Sequence, residues 1–240
     1  MKKQELLEND NKPELLITCL LIVIIFFASF LISSIEKRFL KSPLTVEKKV
    51  IFGFFNTIFI ESVALIYIFK RYGIFLKTLF RNPGNLFKGL RTYFIILPLL
   101  VIVASLNYSI LKLFKKKVVL QEVFYLFMKL KSLPLIMMLV FLSIILAPFF
   151  EEILFRGIFY TSLRKKFSPF ISILINSSIF SIFHQTISNI MGIFLLGCFL
   201  AYLMEKYKNI WASIGLHFFN NFFATVFVLS LKYLNPQINL

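Results

Sequence analysis

Long apolar runs, separated by short segments rich in lysine and arginine, set the pattern of this chain. Several runs are close to or longer than the roughly 18 residues that a helix needs to cross the hydrocarbon core of a membrane. Closed β-barrels also span membranes, but the sequence lacks their short alternating segments. The pattern therefore predicts an all-α, polytopic transmembrane helical bundle. The predicted spans are Leu15–Ile35, Val50–Phe69, Tyr93–Leu111, Leu133–Phe150, Pro169–Phe183, Ile187–Met204 and Ile210–Leu231.

One further apolar stretch, Val118–Leu130, is short and flanked by lysines. It fits either an interfacial helix or part of an additional span, so we expect about seven spans, or eight if it crosses. The fifth run is also short, and we expect it to tilt or to lie inside the bundle. Because the chain contains no internal repeat and no low-complexity linker, a single transmembrane domain is predicted over residues 15–240, after an N-terminal tail of residues 1–14.

Composition agrees with this interpretation, since 59% of the 240 residues are hydrophobic and 32 are phenylalanine. A net charge of +16 would suggest nucleic acid in a soluble protein. Here the basic residues lie between apolar runs, where they anchor helices against anionic lipid. We therefore expect a multi-pass protein of the cell membrane, with the lipid bilayer and not nucleic acid as its partner. Cys19 and Cys198 lie within apolar runs and indicate neither a disulfide framework nor a cysteine-based metal site.

The basic residues also favour one orientation, because cytoplasmic loops carry more lysine and arginine than external ones. The segments after the second, fourth and sixth predicted spans are basic, whereas residues 184–189, after the fifth, contain no lysine or arginine. The N-terminus is therefore expected in the cytoplasm and the C-terminus outside. The basic residues after the first span and at 115–117 lie on the wrong side for this orientation.

Ionisable residues at membrane depth are costly and mark functional sites. In this chain Glu61, Glu151 and Glu152 fall in or beside apolar segments, and His184 and His217 are the only histidines. Glu61, in the middle of the second span, could pair with a lysine, form a hydrogen bond across helices or line a cavity. The sequence does not choose among these three roles.

The adjacent glutamates differ in the partners that their spacing allows. Glu152 and Arg156 are four residues apart on one helix face and can pair. Glu151 points about 100° away from Glu152, so its carboxylate is left free to act as a base. Pro148 can start or kink a helix at this point. The alternative is that both glutamates begin a helix and interact with its N-terminal dipole.

The two histidines lie on different helices. His184 ends an apolar run, four residues after Phe180 on the same face. His217 and Asn221 are four residues apart on one face of the last span. Taken alone, His184 also fits an interfacial or core histidine, and the second pair also fits a hydrogen bond between helices. Asn220 is close enough that geometry does not exclude it.

Together the motifs E-E-x-x-x-R, F-x-x-x-H and H-x-x-x-N, one on each of three helices, are much more specific than any one of them. With them the chain resembles the CPBP family (CAAX protease and bacteriocin-processing), also called the Abi or type II CAAX endopeptidase family. The resemblance covers about Ala147 to Asn221 and includes Gly157. It implies a protease-like core at about residues 133–231, whereas the first 130 residues match only in hydropathy.

The resemblance implies an intramembrane endopeptidase whose substrate is a peptide or a prenylated or otherwise lipidated protein. Peptide hydrolysis needs a base, a partner that tunes it and donors aimed at the developing charge, and the motifs supply all three. The implied roles are water activation by Glu151 and His184, oxyanion binding by His217 and Asn221, and support of the site by Glu152 and Arg156.

A zinc site is the alternative chemistry, because Glu151, His184 and His217 could act as three ligands that leave one position open. The sequence contains no H-E-x-x-H motif, and the amide of Asn221 suits an oxyanion donor better than a metal ligand. We therefore expect no cofactor and favour a metal-free glutamate mechanism.

Other functions also fit the chain. The family's name implies bacteriocin processing or self-immunity as biological roles. A non-catalytic immunity or chaperone-like membrane protein could keep the same fold. A small proton-coupled transporter could use Glu61, Glu151 and the histidines as a relay, although transporters built from repeats would show two similar halves, and this sequence does not.

Overall fold

Eight helices make up the part of the chain that the computed structural model describes, residues 12–39, 45–118, 121–184 and 186–234. No strand occurs within those residues, so the all-α prediction is confirmed. Residues 1–11 of the predicted tail and residues 235–240 lie outside the described part. The helices are α1 Leu15–Phe39, α2 Val46–Leu79, α3 Leu86–Leu113, α4 Glu122–Lys129, α5 Leu133–Leu163, α6 Pro169–Phe183, α7 Ile190–Tyr207 and α8 Ile210–Leu234.

Six of these helices, α1, α2, α3, α5, α7 and α8, are long and apolar enough to cross a membrane. Helix α6 has 15 residues and is about 22 Å long at 1.5 Å per residue, which is shorter than the roughly 30 Å hydrocarbon core. It is the short fifth run of the sequence. With it, the apolar helices confirm a polytopic bundle of about seven spans.

Helix α4 lies within the Val118–Leu130 stretch and has eight residues; residues 119 and 120 are outside the described part of the chain. At about 12 Å it is too short to form an eighth span by itself. Phe127 and Leu130 are fully buried and pack with Val50 of α2 and Leu139 of α5. Helix α4 therefore joins the bundle through these contacts.

Two helices extend far beyond their predicted ends. Helix α2 continues to Leu79, so Lys70, Arg71 and Lys77 lie in a helix and not in the loop that hydropathy predicted. Helix α5 continues to Leu163, well past its predicted end. Hydropathy finds the lipid-buried part of a helix, but lysine and arginine are good helix formers, so the helix itself does not stop where the polar residues begin.

Helix α5 is wider than an α-helix at two places, Leu142–Leu146 and Ile153–Tyr160, which are π-helical. Pro148 lies just after the first of them. A proline lacks an N–H and crowds the preceding turn, and widened turns are one way in which a helix accommodates such a defect. The helix runs unbroken through Glu151 and Glu152. The alternative that these glutamates begin a helix is therefore wrong.

Helices α3 and α8 approach each other closely at two glycines. A Cβ atom at Gly89 would overlap the backbone of α8 at Leu216, and a Cβ atom at Gly215 would overlap the backbone of α3 at Leu86. Small residues allow such close contact between membrane helices. This contact fixes α8, which carries His217.

The buried face of α6, which packs against α5 and α7, combines polar residues with an aromatic one. Asn176, Ser177 and Phe180 are fully buried there, and Ser177 and Phe180 lie against Gly197 of α7. The Asn176 Nδ2 atom donates to the carbonyl of Phe155 in the second π-helical segment at 2.8 Å. Asn176 thereby holds α6 and α5 together near the segment that carries the glutamates.

The outside of the bundle is covered by large apolar side chains. Phe55, Phe59, Ile95 and Ile102 are between 62% and 67% exposed. Exposed apolar surface on this scale would be unusual for a soluble monomer, and it matches helices that face lipid.

Polar contacts gather several helix ends at one end of the bundle, which we call the basic end. It comprises the start of α1, the last turns of α2 and the segments that follow α5 and α7. The contacts are Lys165 Nζ to the Lys12 carbonyl at 2.8 Å, Arg71 to Glu14 at 3.4 Å, Arg164 to Glu205 at 3.1 Å and Lys208 to Glu205 at 2.7 Å.

Candidate active site

A cavity of about 710 Å³ lies inside the bundle, and Glu151, His184, His217 and Asn221 all line it. Glu151 comes from the middle of α5, His184 from the end of α6, and the other two from α8. The structure thus brings together the four residues that the sequence singled out for chemistry. We call this space the active-site cavity.

Glu151 stands between the two histidines. Its Oε2 atom is 3.7 Å from Nε2 of His184 and 4.0 Å from Nε2 of His217. These separations are longer than a hydrogen bond, and Oε2 is buried without a hydrogen-bond partner in the described part of the chain. They fit a water molecule or a substrate oxygen held between the three groups.

The backbone of α6 orients His184. The Nδ1 atom lies 2.8 Å from the Phe180 carbonyl, which can only accept a hydrogen bond, so Nδ1 carries the hydrogen. In the neutral ring the lone pair then belongs to Nε2, the atom that faces Glu151. The four-residue spacing of Phe180 and His184 on one helix produces this arrangement.

A carboxylate orients His217. The Nδ1 atom of His217 donates to Oε1 of Glu152 at 2.8 Å, and Arg156 Nη1 donates to the same oxygen at 3.0 Å. The side chains of Glu152 and Arg156 are 0% exposed. Because Glu152 bonds to His217 directly, it fixes the ring so that Nε2 points toward Glu151.

Arg156 is buried with further partners. Its Nη2 atom donates to the Gly197 carbonyl at 3.3 Å, and its guanidinium carbon lies 4.1 Å from the centre of the Phe180 ring. A buried arginine needs this combination of an ion pair, a carbonyl and an aromatic face to offset the loss of hydration.

Sequence analysis assigned Phe180 no role beyond its place in a motif. Its ring centre lies 4.4 Å from that of His184 and 5.8 Å from that of His217. Phe180 therefore separates the two imidazoles from the apolar core and supports both. In this position the Phe180 side chain is fully buried.

Asn221 makes the interhelical hydrogen bond that the alternative interpretation predicted. Its Nδ2 atom donates to the Ser143 carbonyl of α5 at 2.9 Å, within the first π-helical segment. Asn220 Nδ2 donates to Asn221 Oδ1 at 3.1 Å, which sets the direction of the amide. A carboxamide nitrogen has two N–H groups, so the second of them is available to a ligand.

A second cavity, of about 1130 Å³, adjoins the first. Both are lined by Gln121, Val123 and His184, and the second also by Lys116 and Lys117. It lies at the ends of α3 and α6 that are opposite the basic end. It is a path by which a ligand can reach the histidines.

Glu61 also lines the active-site cavity. Of the three roles that the sequence left open, lining the cavity is the one that the structure displays. Its isolation in a long apolar run was a signal of function, but nothing in the sequence indicated that α2 faces the motifs. Nothing in the sequence indicated that the Ser143 carbonyl would accept a hydrogen bond from Asn221.

The zinc alternative of the sequence would need a cluster of ligating side chains. No group of three or more His, Cys, Asp or Glu side chains among the described residues is arranged to hold a metal ion. Glu151, His184 and His217 surround a shared space, but this geometry does not amount to such a group. We therefore derive no step through a metal.

Comparison with protein families gives one finding. Residues 132–223 match the family model described as Rce1-like, type II CAAX prenyl endopeptidase Rce1-like. The matched segment runs from the start of α5 into α8 and contains every motif residue. Searches among curated proteins and solved structures found no significant match.

Proposed function

Because residues 132–223 match the model of the Rce1-like type II CAAX prenyl endopeptidase family, we propose that this protein is an intramembrane endopeptidase that hydrolyses its substrate with a water activated by Glu151. The family supports intramembrane protease activity in general. The observation that carries the specific proposal is the unpartnered Glu151 oxygen between two histidine nitrogens, 3.7 and 4.0 Å away.

In the proposed reaction a water bound between Glu151 and His184 attacks the peptide carbonyl. Glu151 accepts a proton from this water, and the Nε2 lone pair of His184 helps to hold the water in place. General bases of this kind act within hydrogen-bond reach of the proton that they remove. The attack converts the carbonyl oxygen into an oxyanion.

His217 and Asn221 bind that oxyanion. The free N–H of Asn221 is one donor. His217 is the second when its ring is protonated, with Nδ1–H on Glu152 and Nε2–H on the oxyanion. Donors fixed in advance toward the developing charge are commonly the largest contribution to catalysis.

The intermediate then collapses. The oxyanion re-forms the carbonyl, the C–N bond breaks, and Glu151 returns its proton to the leaving nitrogen. The products are a carboxylic acid and an amine, which then exchange a proton to become a carboxylate and an ammonium group. The substrate is a peptide or a lipidated protein, which enters through the adjoining cavity or from the lipid. A prenylated C-terminal peptide and a bacteriocin leader are the two substrates to test.

The deciding experiment compares the purified full chain with its Glu151→Gln variant on both substrates, with products identified by mass spectrometry. The wild type should release a defined fragment, and Glu151→Gln, which keeps the volume but loses the base, should release none. Equal cleavage by both proteins would refute the role of Glu151. Cleavage of neither substrate by the wild type would favour a non-catalytic immunity or chaperone-like protein.

The same assay measures whether cleavage depends on a metal ion. We expect a chelator to leave cleavage unchanged. Loss of cleavage with chelator and its return on addition of zinc would overturn the metal-free mechanism and leave the protease proposal intact.

A further inference from the structure

Glu61 is a carboxyl group of the active-site cavity that the proposed reaction does not use. It lies near the middle of α2, outside the segment that matches the family model. The residue is 8% exposed. Its Oε2 atom is buried and has no hydrogen-bond partner in the described part of the chain. Leaving a buried carboxyl group without a partner is strongly unfavourable, so Glu61 is poised to bind a group that a ligand brings.

The cavity is acidic in an otherwise basic protein. Its lining contains Glu61 and Glu151 and, among the described residues, no lysine or arginine, whereas the whole chain carries a net charge of +16. An opposite charge nearby is what favours the ionised form of a buried carboxyl group. A positively charged group is therefore the ligand that suits this cavity.

The size of the cavity and its ligand set point to an organic cation. The volume of about 710 Å³ falls within the range of pockets that hold organic ligands, roughly 300–1,000 Å³. An inorganic ion would need a cluster of ligands, and no such cluster of three or more His, Cys, Asp or Glu occurs in the described part of the chain.

We propose that Glu61 is a specificity residue that binds a lysine or arginine side chain of the substrate, close to the bond that is cut. This inference rests on the proposed endopeptidase function for the nature of its ligand. A substrate with the cation gives Glu61 a charge-assisted hydrogen bond, whereas a substrate without it leaves the carboxylate unpaired. A site with a buried polar group discriminates strongly against ligands that cannot satisfy it.

The test measures binding and cleavage of paired peptides by the full chain in detergent. The peptides are prenylated and fluorescent, and differ only by lysine or norleucine at one position, which is moved along the sequence in successive pairs. At one or more positions the wild type should bind the lysine peptide about 10- to 100-fold more tightly, the range expected for a hydrogen bond to a charged group. Glu61→Gln should bind both members of that pair at the norleucine level.

Two further variants keep the test selective. Glu122→Gln removes an exposed carboxylate that lines only the adjoining cavity, and it should keep the preference for lysine. Glu61→Asp keeps a carboxylate on a shorter stem and should keep part of the preference. This second variant carries the test if Glu61→Gln does not fold, which thermal melting of each protein reports.

Equal binding of lysine and norleucine peptides by the wild type, or a lysine preference that survives in Glu61→Gln, would overturn the proposal. So would a change in the pH profile of Glu61→Gln that is the same for both peptides, because it would identify Glu61 as a proton carrier. Cleavage reports on the endopeptidase separately. A preference for the lysine peptide without cleavage would support the cation site and contradict the endopeptidase proposal. Cleavage without a preference for lysine would support the endopeptidase proposal and contradict the cation site.

Discussion

Glu151 and Glu152 are neighbours in the chain with different surroundings. The Glu151 side chain is 25% exposed and lines the active-site cavity, whereas the Glu152 side chain is 0% exposed and bonded to Arg156 and His217. Successive helical residues point about 100° apart, so the Glu151 carboxylate faces the cavity and the Glu152 carboxylate faces the buried interior of the bundle. From two consecutive positions, α5 thus provides the carboxylate that we propose as the base, Glu151, and the carboxylate that supports the site, Glu152.

This division predicts opposite phenotypes for two isosteric changes. Glu152→Gln should lower the free energy of unfolding by about 3–5 kcal/mol, because it removes one partner of a buried ion pair and leaves Arg156 uncompensated. Glu151→Gln should unfold close to the wild-type midpoint while losing cleavage. Denaturation curves in the same detergent compare the two proteins. A larger loss of stability in Glu151→Gln would reverse the two assignments.

Asn221 ties α8 to α5 through the Ser143 carbonyl, and we propose that it also donates to the oxyanion. Asn221→Ala separates these two roles. If its free N–H binds the oxyanion, turnover should fall by roughly 10²–10³-fold with little change in substrate binding. Asn220→Ala serves as a comparison, because Asn220 also lines the cavity but donates to Asn221 and not to α5. If Asn221→Ala lowers the stability but keeps normal turnover, Asn221 serves only to tie α8 to α5.

The sequence identified the polar residues of the site because ionisable groups are rare at membrane depth. The pairing of Glu152 with Arg156 also followed from their spacing of four residues. The bond from Glu152 to His217 did not, since it joins helices whose relative rotation no spacing rule supplies. The same limit applies to Glu61, whose place at the cavity depends on how α2 packs.

At the scale of elements, helix existence was predictable and helix extent was not. All seven apolar runs are helices, because long apolar segments satisfy their backbone hydrogen bonds internally in lipid. The extensions of α2 and α5 and the two π-helical segments lie outside what hydropathy reports. The Pro148 region illustrates the reason. The proline predicted a helix start or a kink, whereas the helix continues through Pro148 just after a widened turn.

The contact between α3 and α8 provides a test at this scale. Gly215→Ala should destabilise the protein and reduce activity, because the added methyl overlaps the Leu86 backbone, which cannot move as a flexible side chain would. Gly53→Ala is the matched control in a membrane helix, with no atom within 4 Å of the added carbon. It should be neutral or slightly stabilising. Equal melting temperatures for both variants would show that α8 shifts without penalty.

For the whole molecule, the contacts of the basic end decide which segments share a side of the membrane. The start of α1 and the segments after α5 and α7 meet there, in agreement with the alternation on which the orientation was predicted. The adjoining cavity, with Lys116 and Lys117 in its lining, belongs to the opposite end. The predicted orientation therefore opens this cavity on the external side.

Labelling of single cysteines in intact cells checks this orientation. In a chain with Cys19 and Cys198 replaced by serine, Lys166→Cys should resist a membrane-impermeant thiol reagent until the cells are opened, and Ile187→Cys should react at once. Both positions are exposed. The reverse pattern would place the basic end outside and the cavity mouth in the cytoplasm, where it would meet newly made substrates.

The first π-helical segment of α5, Leu142–Leu146, supplies the Ser143 carbonyl that accepts a hydrogen bond from Asn221. Loss of a single residue from this segment would let the turn close to an ordinary α-helix, in which each carbonyl accepts from the N–H four residues further on. The Ser143 carbonyl would then return to the hydrogen bonds of its own helix. Every motif and the hydropathy of the span would be intact, yet Asn221 would lose its tie to α5.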